Sequence, residues 1–403
     1  IFLIIALFFE DRFFKFISAT PLLIEKFYLI YFMVLIISVY ELFVSISRSN
    51  LDSTLPTFLN EVFLKGHCLI VLILHGTKIL NFDQFLFFYV GGYLIKLLII
   101  SFTQLKKNRI SLTLSLSGIK VNELIQFGLF VIVGGASAMI VSRLDMVMIG
   151  KFMGLEYVAF YSVAFYVGNA IRVPGRAVVA ISAPIVSKAW KNNNVSLIKD
   201  IYFKSSINQL IIGGIFFVCV WLSVDDVFSL LPEKFSGGKL VVLFIGLSQL
   251  FNISMGINSA IILNSKFFKF DLYANIFLVA VTFISNYLFI PESSPLKQFD
   301  IVGINGAAFA TALSIFLFNL TKFLFLYAKV GIIPFRMKTL IVVLILIFIY
   351  VIVNSINIDI NIYFNIFLKS IISISILVPL IFRFNLSNEL SSILKKYLKI
   401  FFK

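Results

Sequence analysis

Long apolar runs separated by short polar stretches repeat from one end of this chain to the other. A fragment at 1–9 is followed by runs near 26–47, 62–77, 84–104, 124–150 and 157–183, then near 206–224, 238–263, 271–290, 303–328, 338–354 and 361–382. Most approach the roughly 20 residues that carry an α-helix across a hydrocarbon core. The residue-by-residue alternation of a membrane β-barrel is missing, so helices are the remaining way to satisfy backbone polar groups in lipid. The pattern predicts an all-α polytopic membrane protein with eleven complete helices and one fragment. Because the chain opens on Ile1 in mid-run, the fragment reads as the end of a helix that starts earlier, in an N-terminally truncated protein.

Composition agrees: 60% of residues are hydrophobic, 13% are charged and the mean hydropathy is +1.04. Soluble domains hold roughly 45–50% apolar residues. The net charge of +15 reads as topology, because Lys and Arg concentrate in alternate loops and in the C-terminal tail. Loops with residues such as Lys106, Lys188, Lys266 and Arg336, together with the tail, hold 20 basic residues against 8 in the other set. Positive charge is retained on the cytoplasmic side, so the C-terminus is expected there and nucleic acid is not expected as a partner. A repeat is legible in spacing alone: aligning Asn60 with Asn275, at an offset of 215, also pairs 26–47 with 238–263 and 84–104 with 303–328. This gives an incomplete N-terminal lobe at 1–104, a cytoplasmic linker at 105–123 and a six-helix C-terminal lobe at 124–328. Two extra helices at 338–382 and a basic tail at 383–403 follow, so about 12 of 14 helices are present.

Soluble-type catalysis has no visible basis. The two cysteines, Cys68 and Cys219, lie far apart in apolar runs, and no HExxH, CxxC or Gly-rich phosphate loop accompanies His67 and His75. No enzyme activity, cofactor or metal site is therefore expected. The chemistry lies in charges within the apolar runs: Glu41, Lys96, Arg143, Asp145, Arg172, Arg176, Lys322 and Lys369. Such groups are costly in lipid and face a bundle interior or a wet cavity. Lys96 and Lys369 are close enough to helix ends to snorkel, and Lys322 reads equally well either way. Arg172 and Arg176, four residues apart, stack on one helix face and repel unless an anion or acidic neighbour lies opposite. They fit a cavity-lining anion site, or structural pairs and headgroup contacts. Pro174, with Gly168 and Gly175, predicts a kink beside a cavity. Arg143 and Asp145, two residues apart, point about 200° from one another on a helix, so each needs a partner elsewhere. Glu41 is a candidate partner for an arginine or a protonatable coupling site.

The segment LDMVMIGKFMGLEYVAFYSVAF (144–165) resembles the seventh-to-eighth helix turn of bacterial polysaccharide-biosynthesis membrane proteins, the Wzx-type oligosaccharide (O-antigen) flippases. There an acidic residue precedes an Ile-Gly step and a Tyr-Ser-x-Ala run. FDIVGINGAAFATALS (299–314) is similar to the Gly-Ile-x-Gly-Ala-Ala segment opening that family's twelfth helix. The resemblance implies the multidrug/oligosaccharidyl-lipid/polysaccharide exporter fold, with two six-helix lobes around a central cavity in the bacterial inner membrane. It further implies alternating access that moves an undecaprenyl-pyrophosphate-linked oligosaccharide, with H+ or Na+ as coupling ion and polysaccharide assembly proteins and membrane lipids as partners. Arginine suits a pyrophosphate because its planar fork can contact phosphate oxygens bidentately. Arg143, Arg172 and Arg176 are the expected anion contacts, with Lys322 a further candidate and Asn169 and Asp145 in supporting or sugar-contacting roles. The alternatives are a drug or cation antiporter of the same superfamily, favoured by a carboxylate-rich cavity, and a lipid II flippase. A membrane glycosyltransferase would use acidic residues in a sizeable loop, and Asp225-Asp226 reads instead as a solvated pair.

Overall fold

A computed structural model describes residues 24–49, 54–108, 122, 143–356 and 361–401. The described residues are helical throughout, without a β-strand, and nine of their helices are long and apolar enough to cross a membrane. The helices form two compact units, Ile1–Asn122 and Glu123–Lys403. The fragment at 1–9, residues 124–142 of the expected 124–150 helix and most of the expected linker lie outside the described residues.

The first unit holds α1 (Tyr28–Ser49), α2 (Thr54–Gly76) and α3 (Phe82–Asn108). Asn81 starts α3: its side-chain oxygen accepts from the Gln84 N–H at 2.8 Å, while Gln84 Oε1 accepts from the Asn81 N–H at 3.0 Å. That reciprocal pair satisfies two orphan donors of the first turn. Lys26 bridges Glu25 and Asp83, each at 2.8 Å, tying the start of α1 to the start of α3. Midway, α2 widens into one π-helical turn at Leu59–Phe63, which sets Asn60 against Lys96 of α3.

In the second unit α4 (Leu144–Phe152), α5 (Leu155–Asn169), α6 (Val173–Lys191) and α7 (Val195–Leu222) come first. The short α8 (Val224–Ser229) leads to α9 (Lys239–Ser254), α10 (Asn258–Leu263), α11 (Phe268–Phe289) and α12 (Gly303–Val330). Last come α13 (Met337–Asn354), α14 (Ile362–Arg383) and α15 (Asn388–Phe401). Glycine permits the closest contacts. A Cβ on Gly306 of α12 would stand 1.9 Å from the Phe289 carbonyl oxygen, and one on Gly168 of α5 would stand 3.0 Å from Ile245 and 3.1 Å from the Gly246 nitrogen of α9. Backbones that approach this closely gain dispersion where lipid offers no hydrophobic drive between helices.

Two of the expected helices are broken, and both breaks matter. The 157–183 run divides at a single 3₁₀ turn, Ala170–Arg172, just before Pro174, as its missing N–H predicts. The 238–263 run, expected to be continuous, divides at 255–257, where Gly256 has φ +60°. A Cβ there would stand 2.7 Å from Ser205 Oγ of α7, so α7 and the break meet only through glycine. The Ser206 hydroxyl donates to the Ser254 carbonyl at 2.5 Å, satisfying an acceptor freed by the break.

Three expectations are corrected. Lys96 does not snorkel: it is buried, donates to Asn60 Oδ1 at 3.0 Å and lies 4.0 Å from the centre of the Tyr40 ring. Lys369 does not snorkel either; it pairs with Asp226 Oδ2 at 3.0 Å, and Asn365 donates to the same oxygen. Asp226 is therefore mostly buried, whereas Asp225 stays exposed beside Lys239. The basic tail is the amphipathic helix α15, with Leu390 and Leu394 packed on the core formed by α7, α13 and α14.

Candidate functional site

A cavity of about 510 Å³ lies among α4, α5, α9, α11 and α12, lined by residues of the second unit alone. Its charged lining is Arg143, Asp145, Arg172, Asp271 and Lys322. Asn169, Gln249, Asn252, Ser259, Asn275, Thr282, Thr311 and Ser314 supply neutral polar groups, and Phe165, Tyr166 and Phe318 supply aromatic faces. Both helix breaks open onto it: Arg172 ends the 3₁₀ turn, and Ser259 begins just past Gly256. Irregular backbone at membrane depth is tolerated where it lines such a cavity.

Arg143 precedes α4 and has non-helical backbone angles, φ −130° and ψ −7°. The two-residue helical separation therefore does not apply, and Arg143 and Asp145 line the same cavity. The Arg143 guanidinium is exposed and donates to the Tyr166 hydroxyl at 3.3 Å. Asp145 is buried; Oδ1 accepts from the Met146 N–H at 2.9 Å, and Oδ2 accepts from the Tyr161 hydroxyl. Buried acceptors satisfied in this way hold α4 against α5.

Lys322 is almost wholly inaccessible and fully engaged. Its ammonium donates to Asp271 Oδ1 at 2.6 Å and to Ser259 Oγ at 2.8 Å, and lies 4.0 Å from the centre of the Phe318 ring. Asn275 donates to the other carboxylate oxygen of Asp271 at 3.0 Å. An amide chain runs alongside: Asn258 donates to Asn319 at 2.9 Å, Asn319 to Asn252 at 3.0 Å, and Asn252 to Gln249 at 3.4 Å. The cavity thus presents two guanidinium groups, a closed lysine–aspartate pair and a lining rich in amides and hydroxyls.

Arg143, Asp145, Asn169, Arg172 and Lys322, picked out in the sequence, meet in this one cavity. The Arg176 side chain lies outside the described residues, and Glu41 is exposed on α1 in the first unit. Asp271, Ser259 and the amides other than Asn169 were not singled out as site residues beforehand. Their signal was periodic spacing: Asp271, Asn275, Leu278 and Thr282 recur every three or four residues on α11, as do Thr311, Ser314, Phe318 and Lys322 on α12. Among the described residues no group of three or more His, Cys, Asp or Glu side chains is placed to hold a metal ion.

Comparison with known proteins adds two findings. Residues 69–222, less than half of the chain, match the model of a family described as "Polysaccharide biosynthesis protein". The structure is similar to a solved structure titled lipid II flippase MurJ in an inward closed conformation, with a TM-score of 0.72 over 93% of this chain and 78% of that one. The sequence identity is 13%, so the likeness is one of fold. No curated protein matches this sequence.

Proposed function

We propose that this chain is a flippase for a lipid-pyrophosphate-linked oligosaccharide, serving surface polysaccharide synthesis in a bacterial inner membrane. The observation that carries the reading is the composition of the cavity. Guanidinium groups at Arg143 and Arg172 suit phosphate oxygens. The surrounding amides, hydroxyls and aromatic faces suit sugar hydroxyls and ring faces. The family description and the flippase-like fold support it. Alternating access, driven by H+ or Na+, would present this cavity to one side of the membrane and then the other, with the C-terminus in the cytoplasm. The cargo in this reading is an O-antigen, capsule or exopolysaccharide unit. No covalent chemistry is required of the protein.

A second reading, lipid II as cargo, is favoured by the likeness of the fold to that of a lipid II flippase. A cation antiporter is supported less, because both cavity carboxylates are already engaged, Asp145 by Tyr161 and Asp271 by Lys322. The test is a strain lacking its polysaccharide flippase, complemented by this protein. The wild type restores surface polysaccharide, and the Arg143→Gln/Arg172→Gln double variant reaches the membrane normally but does not restore it. Normal polysaccharide from the double variant overturns the anion-site reading; rescue of a strain depleted of its lipid II flippase selects the second cargo.

A further inference from the structure

A second cavity, of about 290 Å³, lies where α13 and α15 begin beside the first turns of α7. Its charged lining is Asp200, Lys204, Arg336, Lys338 and Glu389. The two acids share one lysine: Lys204 reaches Asp200 at 2.9 Å and Glu389 at 3.3 Å. Arg336 is exposed, and its guanidinium lies 4.1 Å from the centre of the Phe203 ring. Lys338 donates to the Asn385 carbonyl oxygen in the turn before α15. A ring face and a carbonyl are partial partners for these two cations, and they leave guanidinium and ammonium donors for an anion.

From this cluster an apolar stripe runs along α13. Met337, Leu340, Leu344, Ile347 and Val351 recur at intervals of three and four residues, and each is more than half exposed. On a membrane-spanning helix such a stripe faces acyl chains. The α15 helix carries the same division, with Leu390 and Leu394 against the bundle and Lys395 exposed.

We propose that Arg336 and Lys338 form a binding site for the headgroup of an anionic phospholipid, whose acyl chain follows the α13 stripe. The site is separate from the proposed cargo cavity, and its reading does not depend on what that cavity carries. The partner is a lipid and not a free anion, because the cations stand at the head of a continuous apolar track. The basic residues at the start of α13, beside the start of α15, supply the headgroup half of the recognition.

The test is native mass spectrometry of the whole chain in detergent, titrated with phosphatidylglycerol or phosphatidylcholine. Phosphatidylglycerol binds more tightly to the wild type, and Arg336→Gln lowers that preference about fivefold, the weight of one basic residue near an anionic surface. The Arg336→Gln/Lys338→Gln variant loses the preference. Lys188→Gln/Lys191→Gln, which removes the same charge from the exposed end of α6, leaves it unchanged. An unchanged preference in Arg336→Gln, an equal loss in the α6 variant, or competition by inorganic phosphate as strong as by phosphatidylglycerol would each overturn the proposal.

Discussion

Lys322 and Asp271 approach within 2.6 Å, the lysine almost wholly inaccessible and the carboxylate mostly so. Removing one member of a buried pair strands the other charge, at a cost of about 3–5 kcal/mol, while replacing both by neutral groups costs less. Lys322→Met is therefore expected to lower the thermal unfolding temperature in detergent more than Lys322→Met/Asp271→Asn does. Equal or additive losses in the two variants would show that the pair is not coupled. The charges were legible from their apolar surroundings at Arg143, Asp145, Arg172 and Lys322, but Asp271 was not, because it stands at the first position of its run, where an acidic residue is ordinary. The amides other than Asn169 were missed for a different reason: an isolated Asn in a spanning helix is unremarkable until its three- or four-residue spacing from other polar groups is counted. Asp145 was found, yet its tie to Tyr161 of the neighbouring helix could not be, since no spacing rule joins residues 16 apart across a helix break.

The helices themselves were legible as apolar runs, because length and hydropathy suffice to mark a span. The kink at Ala170–Arg172 was legible too, through Pro174. The break at Gly256 was not: what demands glycine there is the Ser205 hydroxyl of α7, a contact that sequence does not display. The same logic applies where α11 and α12 touch. Gly306→Ala would drive a methyl group into the Phe289 carbonyl, and such overpacking costs about 1–3 kcal/mol. Gly66→Ala, in α2 with nothing within 4 Å of the added carbon, gains helix propensity of about 1 kcal/mol. Thermal unfolding of the two variants is expected to shift in opposite directions. In each unit, moreover, a buried lysine of one helix reaches a polar group on the helix before it: Lys96 to Asn60, and Lys322 to Asp271 beside Asn275. Those two asparagines are the ones aligned by the 215-residue offset.

At the scale of the molecule, polar groups are sorted by medium. Ion pairs such as Lys26–Asp83, Lys239–Asp225 and Lys204–Glu389 mark helix ends, and the cavity holds the amides, while the α13 stripe is apolar. In a background with Cys68 and Cys219 replaced by Ser, Tyr166→Cys, at an exposed position of the cavity lining, is expected to react with a charged thiol reagent and Leu344→Cys is not. The reverse pattern would mean that cavity and lipid face have been exchanged. Among the described residues, three cations against two acids leave the unloaded cavity with one net positive charge when all five groups are ionised. A cargo with two ionised phosphates would reverse that sign. The membrane potential acts on each net charge with about 2.3 kcal/mol per 100 mV. Inside-negative polarity would then push the loaded carrier outward and pull the empty one back, so voltage alone would favour both halves of an export cycle.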